Sequence, residues 1–267
     1  MSFVLIDKPR PQVTLVTLNR PERMNAMAFD VMIPFREALE EVSHDNDTRI
    51  VVVTGAGEGF CSGADLEDSG TIPNIAGLTR SSIARRSMAL LDDVVLALRK
   101  MHQPVIGAIN GAAIGGGFCL SVATDIRIAS ESAYFRAAGI NNGLTSSELG
   151  MSYLLPRAIG SSRAFEVMLS GRDVDAAEAE RIGLVSRTVP ADRLLSSCYE
   201  LAERIIGFSR VGVEVTKRML WASLDAGSLH SHMDAEGHAQ LYVRLTTENF
   251  EEAVRARKEN RAPVFRD

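Results

Sequence analysis

The chain has 267 residues, of which 46% are hydrophobic and 24% are charged, as in a folded protein of one large domain or one domain with an appendage. Its formal net charge of −5 argues against nonspecific binding to nucleic acid, which requires a basic surface. Three cysteines, Cys61, Cys119 and Cys198, are too few and too widely spaced for a disulfide framework or a metal site. The sequence has neither a secretion signal nor a membrane-length apolar run, so we expect a soluble, cytoplasmic protein that does not enter a membrane.

The first part of the chain alternates predicted strands and helices. Alternating apolar residues predict two strands, at 3–7 and 13–18, that pair as a hairpin. A helix is predicted over 29–42, a strand buried on both faces over 49–54, and a long helix over about 81–101. This alternation is typical of an α/β architecture.

The stretch 103–125 combines glycines with apolar residues more densely than any other part of the chain. A short strand is predicted over 105–109, an Asn-Gly turn at 110–111, and a buried helix after the three glycines at 115–117. Free backbone N–H groups at the start of such a helix, assisted by the helix dipole, bind developing negative charge.

The strands become shorter after this stretch, with one at 126–129 and a loop at 137–150. From 191 to 261 the pattern is almost wholly helical. We therefore divide the chain into a core, residues 1–190, and a C-terminal helical region, residues 191–267.

A second glycine-containing turn, at 60–65, follows the strand predicted at 49–54. We expect each of the two turns to present a backbone N–H group at a helix start. Two such donors together form an oxyanion hole, which stabilises the anion formed from an acyl group. The alternative is that the glycines serve only close packing.

Both turns belong to an ordered series of motifs that resembles the enoyl-CoA hydratase/isomerase family, also called the crotonase family. The matching segments are Asn19-Arg20-Pro21 with Asn25-Ala26, then 60–66, 104–125, 155–160, 176–189 and 251–265. The resemblance implies an α/β fold, a crotonase-like spiral of ββα units with a C-terminal helical trimerisation region, and so a homotrimer or a dimer of trimers. It also implies an acyl-CoA thioester substrate, with coenzyme A present only as part of that substrate and no separate cofactor or metal.

The resemblance further assigns site residues. Ala64 and Gly116 fall on the family's two oxyanion-hole positions. The segment 62–65 is expected along the CoA adenine, and Arg23 and Met24 near the nucleotide. The full set of predicted substrate-binding residues is Arg23, Met24, Ser62, Gly63, Ala64, Asp65, Gly115, Gly116, Cys119 and Gly139. For Asp65 we favour a cap on a following helix over a catalytic role.

The chain departs from the family where a hydratase carries its two glutamates. Cys119 and Gly139 stand at those positions, and neither replaces a carboxylate that positions and activates water. Cys119 is interpreted as a buried, inert residue rather than a nucleophile.

The acid that remains nearby is Glu148, at the place of an aspartate in dienoyl-CoA isomerase relatives if one residue is inserted after Gly143. Either Glu148 is an acid/base beside an acyl pocket, or it belongs to a Ser-x-Glu sequence that caps a helix.

Two functions remain open. The first is an acyl-CoA enzyme of fatty-acid or related metabolism, a lyase or isomerase that holds a thioester enolate in the oxyanion hole and uses Glu148 for proton transfer. Hydration by the family's usual route is not expected of it. The second is an acyl-CoA-binding protein that kept the thioester site and lost the catalytic carboxylates.

Overall fold

A computed structural model describes residues 2–266 as strands and helices that alternate through the first part of the chain and give way to helices in the last. The strands are β1 (Val4–Arg10), β2 (Val13–Leu18), β3 (Ile50–Gly55), β4 (Val105–Ile109), β5 (Ala112–Ile114), β6 (Ile126–Ser130), β7 (Tyr134–Arg136), β8 (Asp173–Asp175) and β9 (Arg187–Val189). The helices are α1 (Phe29–Ser43), α2 (Arg80–Lys100), α3 (Gly116–Ala123), α4 (Met151–Ile159), α5 (Ser161–Ser170), α6 (Ala176–Arg181), α7 (Leu194–Ile206), α8 (Arg210–Ser223), α9 (Leu229–Thr246) and α10 (Asn249–Lys258).

The strands form two sheets. The larger has the order β1-β2-β3-β4-β6-β9, with β1 and β2 antiparallel and the remaining pairs parallel. The smaller has the order β5-β7-β8. The predicted N-terminal hairpin and the α/β alternation are confirmed. Strands β5, β8 and β9 were not predicted, because each has three residues and such a length carries no readable alternation.

Strand β3 explains why its sequence is apolar at successive positions. Val51 and Val53 point into one hydrophobic cluster, with α1, α2 and α3, while Ile50 and Val52 point into a second, with α7. Since successive side chains of a strand face opposite sides of a sheet, a layer of helices on each side requires apolar residues at every position.

A carboxylate anchors the far end of α3. Asp125 accepts a hydrogen bond from the Val105 N–H (2.6 Å) and pairs with Lys217 Nζ (2.8 Å), while the Trp221 indole N–H donates to it (2.5 Å). Asp125 thereby joins the start of β4 to α8, and α3 is fixed in place at its C-terminal end.

The C-terminal helices after α7 are much more exposed. In the described part of the chain, α8 buries only Lys217 and α9 buries no residue. Large apolar side chains on α9 are exposed, namely Leu229, Met233, Leu241, Tyr242 and Leu245. Among residues 2–266, no helix combines the length and apolar character that crossing a lipid bilayer requires. The boundary at residue 190 and the cytoplasmic location remain predictions.

Candidate active site

Strand β5 brings the two glycine turns together. The Cys61 N–H donates to the carbonyl of Ala112 (3.0 Å), and the Ile114 N–H donates to the carbonyl of Cys61 (2.9 Å). Cys61 and Ala113 thus form a parallel bridge, which places the 60–65 turn against the start of α3. The sequence does not indicate this bridge, because it does not predict strand β5.

Two glycines allow the close approach. A Cβ atom at Gly63 would lie 2.6 Å from the carbonyl oxygen of Ile114 and 3.3 Å from the backbone nitrogen of Gly116. A Cβ atom at Gly117 would lie 2.0 Å from the carbonyl oxygen of Cys61. Gly63 and Gly117 are therefore packing glycines, and their packing is what brings the backbone of one turn beside the N–H group of the other.

The N–H groups of Ala64 and Gly116 differ in their hydrogen bonding from those of the residues that follow and precede them. The neighbouring donors are engaged, since the Asp65 N–H bonds to the carbonyl of Met27 (3.2 Å) and the Gly115 N–H bonds to that of Arg136 (2.8 Å). In residues 2–266, neither the Ala64 nor the Gly116 N–H group has a protein acceptor. Helix α3 begins with Gly115 as its N-cap and no side-chain cap, so its first N–H groups remain available to a ligand.

Asp65 does not cap a helix, and the prediction that the 60–65 turn opens one is wrong. No helix follows this turn before α2. The Asp65 carboxylate instead accepts the N–H groups of Glu67 and Asp68, both at 3.0 Å, and forms ion pairs with Arg20 (2.8 Å) and Arg23 (2.9 Å). The Asp68 N–H, the Arg23 guanidinium and the Glu67 N–H hold the pKa of this carboxyl well below its usual range. An aspartate that bonds nearby N–H groups folds the chain into a loop without a helix.

The predicted CoA-binding residues lie together. The Ser62 N–H donates to the carbonyl of Met24 (3.0 Å), and the Ser62 hydroxyl donates to that of Arg23 (3.3 Å). The Arg23 guanidinium is already paired with Asp65 and Glu67, so it is held in place along the 62–65 segment. Binding of a nucleotide by these residues remains a prediction.

Cys119 and Gly139 are both fixed by packing. The Cys119 side chain has 0% exposure, and burial raises the pKa of its thiol well above the ordinary value, which keeps the sulfur protonated and unreactive. The packing interpretation of Cys119 is therefore supported. A Cβ atom at Gly139 would lie 2.1 Å from the carbonyl oxygen of Thr145, so the loop around 139 has no room for a side chain.

Glu148 lies beside the glycine turn. Its Oε1 atom is 3.7 Å from the position that a Cβ atom of Gly115 would occupy. Its side chain is half-buried, and in the part of the chain that the structure describes, no side chain donates a hydrogen bond or forms an ion pair with the carboxylate. Burial raises the pKa of this carboxyl. A carboxylate whose pKa is raised is a stronger base, and a pKa nearer the working pH suits a group that takes a proton and returns it.

The capping interpretation of this segment is wrong. The N-cap of α4 is Gly150, and no side chain caps that helix. The Ser146 hydroxyl donates to the carbonyl of Ala137 (2.9 Å) and accepts from the Ile140 N–H (3.1 Å), so it closes the preceding loop instead. Within residues 2–266, the Glu148 side chain is thus left without a structural partner.

Sequence reasoning missed two residues that shape the site. The Met27 N–H donates to the carbonyl of Gly63 (2.7 Å), and its sulfur would lie 2.2 Å from a Cβ atom at Gly116, so Met27 contacts both turns. Leu149 has a left-handed backbone, with φ of +47°. Met27 follows the matched Asn25-Ala26 pair directly, which was the available signal, whereas nothing in the sequence indicates the conformation of Leu149.

The site thus combines two free N–H groups with one desolvated carboxylate. The N–H pair suits an oxygen on which negative charge develops, and the carboxylate suits transfer of a proton to or from a neighbouring atom. This is the minimum needed to form an enolate and quench it.

Known proteins share this architecture. A family model described as enoyl-CoA hydratase/isomerase matches residues 10–267. A Mycobacterium tuberculosis protein named probable enoyl-CoA hydratase EchA12 is 67% identical over 267 residues, covering 100% of this chain and 94% of that protein.

Solved structures agree with this assignment. A probable enoyl-CoA hydratase/isomerase from Mycobacterium abscessus is 69% identical, with a TM-score of 0.95 over 99% of each chain. A monofunctional enoyl-CoA isomerase from M. smegmatis is 62% identical, with a TM-score of 0.75 over 87% of this chain and 99% of that one. An enoyl-CoA hydratase from Bacillus anthracis is 32% identical, with a TM-score of 0.89 over 98% of each chain. The predicted crotonase-like fold is confirmed, and the chain belongs to the enoyl-CoA hydratase/isomerase family.

Proposed function

We propose that the protein is an enoyl-CoA isomerase, which moves the carbon–carbon double bond of an acyl-CoA thioester. The observation that carries this proposal is the half-buried, unpartnered carboxylate of Glu148 beside the glycine turn. The M. smegmatis structure titled as a monofunctional enoyl-CoA isomerase, 62% identical to this chain, supports the same reaction.

In this reaction the thioester oxygen accepts hydrogen bonds from the N–H groups of Ala64 and Gly116. The ionised Glu148 carboxylate removes a proton from the carbon between the double bond and the thioester carbonyl. The electron pair of the broken C–H bond spreads onto the thioester oxygen and gives a dienolate, which the two N–H groups stabilise. Glu148 returns the proton to the far carbon of the original double bond, so the double bond shifts and the enzyme is restored.

Hydration by the usual family route is disfavoured by the same geometry. That route uses two carboxylates to position and activate water. In this chain the thiol of Cys119 is buried and protonated, and a side chain at Gly139 would collide with the backbone at Thr145. A single carboxylate suffices for a proton transfer between two carbons.

The binding assignments follow from this substrate. We place the CoA nucleotide along Arg23, Met24 and the 62–65 segment, with Gly115, Gly116, Cys119 and Gly139 around the acyl end. The exposed apolar side chains of α9 support assembly into a homotrimer, or a dimer of trimers, through the C-terminal helices.

The test compares the wild type with Glu148→Gln, and uses Glu131→Gln, on an exposed turn after β6, as the matched control. A 3-enoyl-CoA is supplied in deuterated water, and both the double-bond shift and deuterium exchange at the α-carbon are followed. Crotonyl-CoA tests hydration, and titration calorimetry measures acyl-CoA binding.

We expect Glu148→Gln to lower isomerisation by about 10²- to 10⁴-fold, the usual contribution of general acid–base catalysis, with acyl-CoA affinity retained. Glu131→Gln should behave as the wild type. Full activity of Glu148→Gln would disprove the assignment of Glu148. A wild type that binds acyl-CoA without isomerisation or exchange would instead be an acyl-CoA-binding protein.

A further inference from the structure

The turn that carries Glu148 has an uncommon backbone. Leu149 has φ of +47° and Gly150 has φ of +80°, so two successive residues are left-handed. Glycine adopts this conformation freely, but a leucine does so only where the surrounding structure holds it. The reason for a bulky residue at this position must therefore lie in what its side chain contacts.

The Leu149 side chain lies over the oxyanion turn. It is 5% exposed and belongs to the main hydrophobic core. Its Cδ1 atom lies 3.5 Å from the position that a Cβ atom of Gly116 would occupy. The side chain next to Glu148 thus lies over the residue whose N–H group is proposed to bind the thioester oxygen.

The main chain is also held at Glu148 itself. Its carbonyl accepts hydrogen bonds from the Met151 N–H (2.8 Å) and from the Cys119 thiol (3.6 Å). Because Cys119 lies in α3, both the thiol and Leu149 tie this turn to the same helix. With its backbone fixed, Glu148 reaches the glycine turn through its side-chain torsions alone.

We propose that Leu149 is a positioning residue, which fixes the distance between the Glu148 carboxylate and the Gly116 N–H group by holding its side chain over Gly116. This inference rests on the proposed isomerase function. The Cys119 thiol is the titratable group that lies near Glu148. Burial raises the pKa of Glu148. A turn that loosens should therefore let water reach the carboxylate and lower its pKa.

The experiment uses Leu149→Ala, Leu149→Gly and the conservative Leu149→Met, with Leu39→Ala as the matched control. Leu39 is a leucine of α1 in the same core, 0% exposed. For each variant, kcat, KM and the pH profile of isomerisation are measured. The pKa of Glu148 is measured separately by carbon NMR of labelled glutamate, with Glu148→Gln used to assign its signal.

We expect Leu149→Ala to lower kcat by about 10- to 100-fold with KM within about twofold, because small displacements of a catalytic group are costly. The acidic limb of the pH profile and the NMR pKa should both move down toward the ordinary glutamate value. Leu149→Gly, which accepts the left-handed backbone without strain, should show the same loss. Leu149→Met should restore most of the rate, and Leu39→Ala should keep both the rate and the Glu148 pKa.

Wild-type kcat and pKa in folded Leu149→Ala would overturn the inference, as would a loss that Leu39→Ala shares in full. Recovery in Leu149→Gly would show that the backbone, and not the side chain, sets the position. The NMR pKa does not depend on turnover. A wild type without isomerisation refutes the proposed function, and a fully active Glu148→Gln refutes the role of Glu148. An unshifted Glu148 pKa in Leu149→Ala removes the positioning role separately.

Discussion

Each of two loops brings a carboxylate to the glycine turns, and the surroundings shift the pKa values of the two carboxyl groups in opposite directions. The loop after β3 surrounds Asp65 with two N–H groups and two guanidinium groups. The two N–H groups and the Arg23 guanidinium lower its pKa. The loop before α4 leaves Glu148 half-buried with no partner among the described residues, which raises its pKa. Hydrogen bonds and cations stabilise the charged form of a carboxyl, whereas burial alone destabilises it. The first arrangement builds a scaffold and the second leaves an acid free for proton transfer.

The largest loss of stability is expected from adding a side chain at Gly139, in the loop before α4. Gly139→Ala would place a Cβ atom 2.1 Å from the carbonyl of Thr145 and displace the segment that leads to Glu148. We expect a loss of about 3 kcal/mol in the free energy of unfolding and a fall in isomerisation of about 100-fold. Urea unfolding and steady-state kinetics measure both.

Gly143→Ala is the control for this substitution. It lies in the same loop, has φ of +71° and has no heavy atom within 4 Å of the added Cβ. The left-handed backbone alone should cost about 1 kcal/mol, with activity retained. If the two variants lose equal activity, the collision at 139 is not what matters.

A smaller loss of stability is expected from changing Asp65, the carboxylate that has hydrogen-bond and ion-pair partners. Asp65→Asn removes one charge from a pair in which Arg20 and Arg23 are themselves partly exposed, so we expect a loss of about 2 kcal/mol at neutral pH. Because the pKa of Asp65 is lowered in the folded protein, its stabilisation is present above the ordinary value near 4 and is lost as the pH falls below it. The gap between wild type and variant should therefore shrink in acid.

The measurement tests whether the stability difference between wild type and Asp65→Asn decreases as the pH falls. Unfolding by urea is compared at pH 7 and at several values below 4, where the difference should diminish. A difference that stays constant with pH would mean that the ion pairs do not stabilise the loop.

The smallest expected change is a gain in stability, from changing Glu148. The pKa of Glu148 is raised in the folded protein, so its ionisation at neutral pH opposes folding, and the penalty disappears as the pH falls through the folded pKa. Glu148→Gln should raise the free energy of unfolding at pH 7 by less than about 1 kcal/mol, since the side chain is only half-buried. A destabilised Glu148→Gln protein would show that the carboxylate has a partner and would erase the contrast with Asp65.

Much of this site was predictable, because the glycines at 63, 116 and 117 after predicted strands indicate turns that present backbone N–H groups. The bridge between Cys61 and Ala113 was not, since it depends on a strand of three residues. The false helix after Asp65 had a different cause. An aspartate after a turn predicts a helix cap and a loop-closing bond equally well, and the donors it meets decide between them.

Glu148 shows the limit of sequence reasoning most clearly. Its place near the acyl end came from a resemblance, but its role depended on whether any group would pair with it. That depends on Ser146 bonding to the preceding loop and on Gly150 capping α4, neither of which is apparent in the residue types alone.

The missing room at Gly139 also bears on how such enzymes diverge. A chain that regained a glutamate at 119 would still lack the second carboxylate, and adding it at 139 would first require the loop at 140–146 to move. That loop leads to Glu148, so a second carboxylate at 139 conflicts with the present path of the segment that holds the first.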